Sequence, residues 1–479
     1  MKVHRLITVF MSHLCAALFA AAAATAPPAN TTRADVALAG LQQYFFDSSS
    51  GFWKACGQNG GLGNAKSNFE CECDRRTPFC RNCFRWWMAG TVQALVSLNA
   101  AVPNHATSNS TRQIIEQFWR RAPYTQRASP TWAYIDDYLW YVLMWLDVHR
   151  WLDEPRFLTE ATDTFDFLWS WGADQVCGGI IWMYPDADPR KNAVTTLEAI
   201  QAAAQLSVAL RDRAPLRAHR FKDRALALWQ FFDDVGLLGA DGLVHDNVTG
   251  TAQGEFHCCN RTHAPKCAPR NTVTWTYNQG MLLGAAVDLH ALTGDTKFLA
   301  VGAKTLDAVV AELTTDNGGG SSGGRSSSIA QAKTVLREPV GRFVLTSRQC
   351  DASHDPSAPA GGDLFSFKAV FMQQLPRFVE ACIRSPGALT PSRLTAARKL
   401  VEDSAEAAWA TRVHAPFPAS DICNEYRNVP TSAPPKFSWD WEGPPRGEAL
   451  TCMDARTQSQ ALSVFVADIR MQRFVVQAR

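Results

Sequence analysis

The chain has 479 residues, of which 46% are hydrophobic and 16 are Trp, and its formal charge is +2. That length exceeds one ordinary small domain and supplies a large core. The near-neutral balance leaves no global field to draw the protein to nucleic acid or to an acidic membrane surface.

The N-terminus reads MKVHRLITVFMSHLCAALFAAAAATAPPANTT. Lys2 and Arg5 precede an apolar run from Leu6 and small residues near Ala22–Ala26, the pattern of a secretory signal peptide over residues 1–26 rather than of a membrane anchor. Residues 27–479 are then read as a single domain, secreted, soluble and monomeric, with no further membrane span. The C-terminus, IRMQRFVVQAR, is too polar for the removable tail of a lipid-anchored protein. Cys15 leaves with the leader, and the odd number of remaining cysteines predicts disulfides plus at least one free or intermolecular thiol. Cys56, Cys71, Cys73, Cys80 and Cys83 also have zinc-like spacing, but secretion favours staples. Cys258, Cys259 and Cys267 form a second knot. No metal or cofactor is expected. Asn-x-Ser/Thr sites occur at Asn30, Asn109, Asn247 and Asn260, the last three expected as glycosylated surface positions.

Apolar residues recur at three- and four-residue steps near 34–46, 86–101, 111–121, 136–152, 157–171, 193–211, 219–236, 279–293, 297–312, 364–383, 391–412 and 455–470. Alternating strand patterns are scarce, so the class is all-α. The Cys-rich stretch near 56–83, the Gly/Ser stretch 316–328 and the Pro-rich stretch 413–448 read as loop insertions in one domain. HRWLDEPRFLTEATDTFD (149–166) echoes HALTGDTKFLAVGAKTLD (290–307) at an offset of 141. Both read as a helix end, a tight polar turn and a second helix. The same offset lays Asp136 and Asp137 over Tyr277 and Asn278. Polar pairs at equivalent places in equivalent hairpins predict a closed ring of helix pairs, a toroid around a central cleft.

AYIDDYLWYVLMW (133–145) sets two adjacent carboxylates among apolar residues. Burying ionised carboxylates without partners costs several kcal/mol or forces them to take up a proton. Adjacent helical residues point about 100° apart, so both border one cavity only at a helix start. Capping the helix accounts for one Asp more easily than for two. Two carboxyls whose protonation is pushed apart by repulsion and by burial among Trp132, Trp140 and Trp145 suit glycoside hydrolysis. A metal-binding Asp-Asp-x-x-Asp reading fails because Trp140 occupies the fifth position. CGGIIWMYPDADPRKNAVTT (177–196) brings Trp182 as a stacking face and Lys191-Asn192 to a helix start. WTYNQGMLLGA (275–285) repeats the pattern with Tyr277, Asn278 and Gln279, whose amides can bind vicinal hydroxyls. DLFSFKAVFMQQL (363–375) adds Lys368 to an apolar helix, where a snorkelling role is equally open.

Together these stretches resemble glycoside hydrolase family 76, the α-1,6-mannanases and their fungal wall-remodelling relatives. The resemblance runs from about residue 40 to 470. It is carried by Trp86-Trp87 with Ala89-Gly90, Tyr134-Ile135-Asp136-Asp137 with Trp140, Gly178-Gly179-Ile180 with Trp182, Lys191-Asn192, Trp275-Thr276-Tyr277-Asn278-Gln279-Gly280 and Phe367-Lys368. It implies an (α/α)6 barrel with the cleft at one end and retaining endo-hydrolysis of α-1,6-mannan. It also implies Asp136 as nucleophile and Asp137 as general acid/base, with Trp87, Trp182, Lys191, Asn192, Tyr277, Asn278, Gln279 and Lys368 as substrate-binding candidates. Ala369 and Gln373 depart from the Gly and Arg that the family carries after Phe-Lys. Two alternatives share these residues: a transglycosylase acting on mannan or cell-wall glycan anchors, and a non-catalytic carbohydrate-binding protein.

Overall fold

A computed structural model describes residues 29–47, 51–53, 72–73, 80–81, 86–126, 133–174, 178–184, 191–248, 269–315, 333–339, 363–417, 429–441 and 453–477. Among them are twelve α-helices: α1 Ala29–Phe45, α2 Trp86–Ala101, α3 Ser108–Gln126, α4 Ile135–Leu152, α5 Pro155–Gly172, α6 Ala193–Leu210, α7 Pro215–Asp234, α8 Thr276–Thr293, α9 Lys297–Glu312, α10 Leu364–Arg384, α11 Pro391–Ala410 and α12 Ala455–Gln477. Every helix expected from periodicity is present.

Two kinds of helix alternate along the chain, and their sequences show why. In α7 the apolar positions 218, 221, 225, 228 and 232 recur at steps of three and four, and only six of its twenty residues are buried. Pro215 starts that helix where a backbone N–H has no intrahelical partner to lose. In α6 fifteen of eighteen residues are buried, on all sides. A helix apolar all round belongs inside, and α6 is also the one described helix long and apolar enough to cross a membrane. The even-numbered helices pack α2–α4–α6–α8–α10–α12 and back to α2, closing an inner ring; α1 and α11 pack on α12, and α3, α5, α7 and α9 lie outside α2, α4, α6 and α8. The fold is an (α/α)6 barrel.

Close approach of the inner helices has specific causes. A Cβ on Gly280 would lie 2.5 Å from Phe371 Cα, so α8 and α10 meet backbone to backbone only with glycine there. Gln373, at the position that departs from the family, donates its amide to the Gly90 carbonyl at 2.9 Å and to Ser463 Oγ at 3.0 Å. It thereby ties α10 to α2 and α12.

The connections separate the two ends of the barrel. Each inner helix from α2 to α10 passes to the next outer helix through a short turn of two to six residues. The 141-residue echo is visible at two of these turns. Helix α4 ends on Asp153 with φ 53°, and α8 on Gly294 with φ 77°. His149 Nδ1 meets the Glu154 carbonyl at 3.0 Å, and His290 Nδ1 meets the Asp295 carbonyl at 3.2 Å. The connections from outer to inner helices run eight residues or more and gather at the opposite end, where the N-termini of all six inner helices converge.

Short antiparallel pairings stitch that end together. Ala133–Tyr134 pairs with Met183–Tyr184, and Lys191–Asn192, Asn247–Val248 and Pro269–Asn271 form a three-stranded ribbon. The Pro-rich stretch, expected as an insertion, contributes to the core: Lys436, Phe437, Trp439 and Trp441 are buried. Cys382 is a buried free thiol, and burial pushes it up to about 12. Cys73 and Cys80 are register partners of one strand pair. The leader expected at residues 1–26, Cys56, Cys71, Cys83, Trp132, Cys258, Cys259, Cys267, the Gly/Ser stretch and Asn260 lie outside the described residues. Asn109 is exposed at the start of α3. Asn247 corrects the expectation of a surface glycan: it is buried in the ribbon, where its Nδ2 donates to Asp246 Oδ2 at 2.9 Å.

Candidate active site

Asp136 and Asp137 occupy the first turn of α4, at the end where the inner N-termini converge. The residue capping that helix, Tyr134, makes no side-chain cap bond. Asp136 Oδ1 accepts the backbone N–H of Asp137 at 2.9 Å, and its Oδ2 accepts the Trp182 indole N–H at 2.8 Å. Capping the helix is therefore not its sole contact. The Asn192 side chain also hydrogen-bonds Asp136, while Asn192 Oδ1 caps α6 by accepting Thr195 N–H at 3.3 Å.

Burial pushes Asp136 up to about 7, against the pull of the Asp137 N–H, the Trp182 indole and the Asn192 amide; the charge of Asp363 adds a further upward push. Tyr138 is raised by burial and then by the charge of Asp137.

Three more carboxyls stand close by. Glu198, from the second turn of α6, is wholly buried, and neither of its oxygens has a hydrogen-bond partner among the described residues. Burial, followed by the charges of Asp136 and Asp137, raises it well above the usual carboxylate range. Asp363, at the start of α10, accepts the Trp86 indole N–H at 3.0 Å. Asp246 accepts from Asn271 Nδ2 at 3.0 Å, Asn278 Nδ2 at 3.3 Å and Tyr277 Oη at 3.4 Å. The Tyr277 hydroxyl lies within the field of Asp246, Asp136, Asp363 and Glu198, and burial with those charges holds its proton on. No group of three or more His, Cys, Asp or Glu among the described residues has metal-holding geometry.

Aromatic rings wall the acids. Tyr277 stacks on Phe367 with centroids 4.1 Å apart and planes 20° apart; Trp86 lies 5.3 Å from Trp140; Tyr134, exposed at the rim, lies 5.0 Å from Trp182. Such faces suit the C–H faces of sugar rings, while the carboxyls and amides suit their hydroxyls.

The expected site residues thus divide. Asp136, Asp137, Trp182, Asn192, Tyr277 and Asn278 come together. Behind them, Gln279 is wholly buried, exchanging hydrogen bonds with Val244 N–H and C=O at 2.8 and 2.9 Å. Lys191 is buried against Asp174 and the Gly178 carbonyl, both at 2.6 Å. Lys368 is buried with its ammonium 4.4 Å from the Trp441 ring. Trp87 lies in the core, and the indole that reaches the acids is that of Trp86. Glu198, Asp246 and Asp363 escaped sequence reasoning. Glu198 had a visible signal, being the one charged residue in AVTTLEAIQAAAQLSVAL.

Residues 29–416 match the sequence profile of glycosyl hydrolase family 76. The chain belongs to that family. No curated protein matches it. Among solved structures of similar fold is an inactive double-aspartate variant of the α-1,6-mannanase GH76A of Salegentibacter sp. HEL1_6 in complex with α-1,6-mannotetrose. It is 17% identical, with TM-score 0.61, over 92% of this chain and 99% of that one. A family 76 mannosidase from Bacteroides thetaiotaomicron is 16% identical, with TM-score 0.61, over 94% and 100%. Dfg5 from Chaetomium thermophilum, in complex with glucosamine, is 14% identical, with TM-score 0.51, over 81% and 80%. Family 76 membership makes the chain a glycoside hydrolase by lineage, and these likenesses place its fold among the family's helical barrels.

Proposed function

We propose that this chain is a secreted, endo-acting, retaining hydrolase of α-1,6-linked mannan, with Asp136 as nucleophile and Asp137 as general acid/base. One observation carries the reading. Asp136 is an acceptor held by three N–H donors, a grip that favours its ionised form and fixes its direction, and a second carboxyl stands beside it in the same helical turn. In the first step Asp136 attacks the anomeric carbon and the glycosidic C–O bond breaks, while Asp137 gives its proton to the leaving oxygen. In the second, Asp137 takes a proton from water, whose oxygen attacks the anomeric carbon and frees Asp136. Carboxyls about 5–5.5 Å apart serve this double displacement. The mannan specificity draws on the mannanases of like fold, and secretion on the leader at residues 1–26.

The test is to incubate the purified protein with linear α-1,6-mannan and follow products by size and by anomeric proton NMR. Internal cleavage with α-anomers formed first is expected; β-anomers formed first would overturn the retaining mechanism, and saturable binding without turnover would overturn the enzymatic one. Added acceptor mannosides separate hydrolysis from transfer by the same residues. Asp136→Asn and Asp137→Asn are each expected to lower turnover at least about 10³-fold while leaving the fold intact by circular dichroism.

A further inference from the structure

Lys191 is a wholly buried lysine whose neighbours connect it to the reacting pair. Its ammonium donates to Asp174 Oδ2 and to the Gly178 carbonyl, each at 2.6 Å, above the Phe231 ring at 5.0 Å. Asp174 and Gly178 are also hydrogen-bonded to each other. Gly178 N–H donates back to the Asp174 carbonyl at 3.0 Å, and Gly178 and Gly179 have φ of 73° and 77°, a conformation open to glycine at little cost. A Cβ on Gly179 would also lie 2.6 Å from the Phe231 ring. Three residues on, the Trp182 carbonyl accepts Ile135 N–H at 2.8 Å and its indole grips Asp136. Lys191 is followed directly by Asn192, the second side chain that holds Asp136.

We propose that Lys191, with Asp174, is a positioning residue for catalysis: the buried ammonium ties Asp174 and Gly178, and with Gly178 the stretch to Trp182, to the start of α6, and so aims Trp182 and Asn192 at Asp136. Lys191 stands behind the cleft and acts through those two donors. The titratable groups facing Asp136 are Asp137 and Tyr138 on its own helix, Glu198 from α6, Tyr277 from α8 and Asp363 from the start of α10. All are acidic, so the pull towards the ionised form of Asp136, against its burial, comes from the clamped N–H donors.

The consequence for turnover rests on the proposed role of Asp136, but the positioning is read without substrate, by titrating the aspartate carboxyls with ¹³C NMR. Lys191→Met is expected to move the Asp136 midpoint upward by about one pH unit and to lower kcat about 10²-fold with little change in KM. Trp182→Phe, which removes the indole donor and leaves the ion pair, is expected to give a similar shift. The double variant should shift no further, because both changes release one clamp; additive shifts would mean that Lys191 acts by its charge alone and would overturn the proposal. A Lys191→Met protein with lowered melting temperature and an unmoved midpoint would overturn it too. If Lys191→Met does not fold, Asp174→Asn carries the same test, with a raised midpoint expected and an unmoved one overturning the proposal. A wild type that cleaves no mannan would remove the function and leave this titration readable.

Discussion

Two layers of acid cross the barrel, and they are built on opposite rules. Towards the short-turn end, Asp147 on α4 and Asp288 on α8 are separated by the same 141 residues as the echoing hairpins. Asp147 accepts from Arg150 at 2.7 Å and from Gln93 at 2.7 Å; Asp288 accepts from Arg377 at 2.8 Å and from Gln205 at 2.7 Å. Gln205 closes the circuit by accepting from Arg150 at 2.9 Å. Five of the six inner helices are joined in this layer, and both of its acids have a cation. At the cleft end the same two helices carry Asp136-Asp137 and Tyr277-Asn278. There Asp136 is held by neutral N–H groups and Glu198 by no donor among the described residues, and the charges acting on them belong to other carboxyls. Paired acids lock a ring of helices. Burial raises Asp288 too, but its arginine pulls against that rise; at the cleft the neighbouring acids add to it, and such perturbed proton affinities are what proton transfer requires.

The largest effect on stability should come from the paired layer. Arg377→Met leaves Asp288 buried beside Gln205 without its cation, and about 3–5 kcal/mol of unfolding free energy should be lost, read by urea denaturation at pH 7. Turnover per folded molecule should be unchanged, because Arg377 lies in the C-terminal half of α10, away from Asp363 at its start. A loss of activity without loss of stability would break the division between the two layers.

The opposite sign is expected at the cleft. Glu198→Met replaces a buried carboxyl that has no donor among the described residues with an apolar side chain of similar length, and should raise unfolding free energy by about 1–3 kcal/mol. A destabilised Glu198→Met would show that the carboxyl has a stabilising role in the fold.

The contrast explains how much of the molecule was legible in its sequence. Helix positions were, because periodicity reports burial face by face: α7 shows its stripe and α6 its apolar run. The ring was legible through one repeat, since the His149 and His290 turns share their geometry. Asp136 and Asp137 stood out as charges in an apolar stretch, and the family 76 likeness gave them partners. What failed was the direction of polar residues near the site. Lys191, Gln279 and Lys368 sit at the right places in the chain, yet their heads turn to backbone, ion pair and indole behind the cleft. Direction around a helix start depends on tertiary neighbours such as Asp174 and Trp441, which local sequence does not specify. Asn247 failed in the same way: the acceptor motif is local, whereas its burial beside Asp246 is set by a ribbon drawn from three separate connections.

The smallest and most discriminating effect concerns pH. Glu198 in the folded protein holds its proton well above its ordinary value of 4.5. Below that value the carboxyl is protonated in both states and costs nothing by ionisation. As pH rises beyond it, the unfolded chain releases the proton while the folded protein keeps it, so the folded state binds more protons and stability falls. Asp136 acts with the same sign between its ordinary 3.8 and about 7. Wild-type unfolding free energy should therefore decline from about pH 4 to about pH 7 by an amount that Glu198→Gln reduces and Glu198→Gln with Asp136→Asn reduces further. Arg377→Met acts the other way: without its cation Asp288 is pushed further up, so the variant should steepen the decline with pH. If Glu198→Gln left the slope as it was, Glu198 would be ionised in the folded protein, a cation would have to face it, and the cleft layer would follow the same rule as the layer beneath.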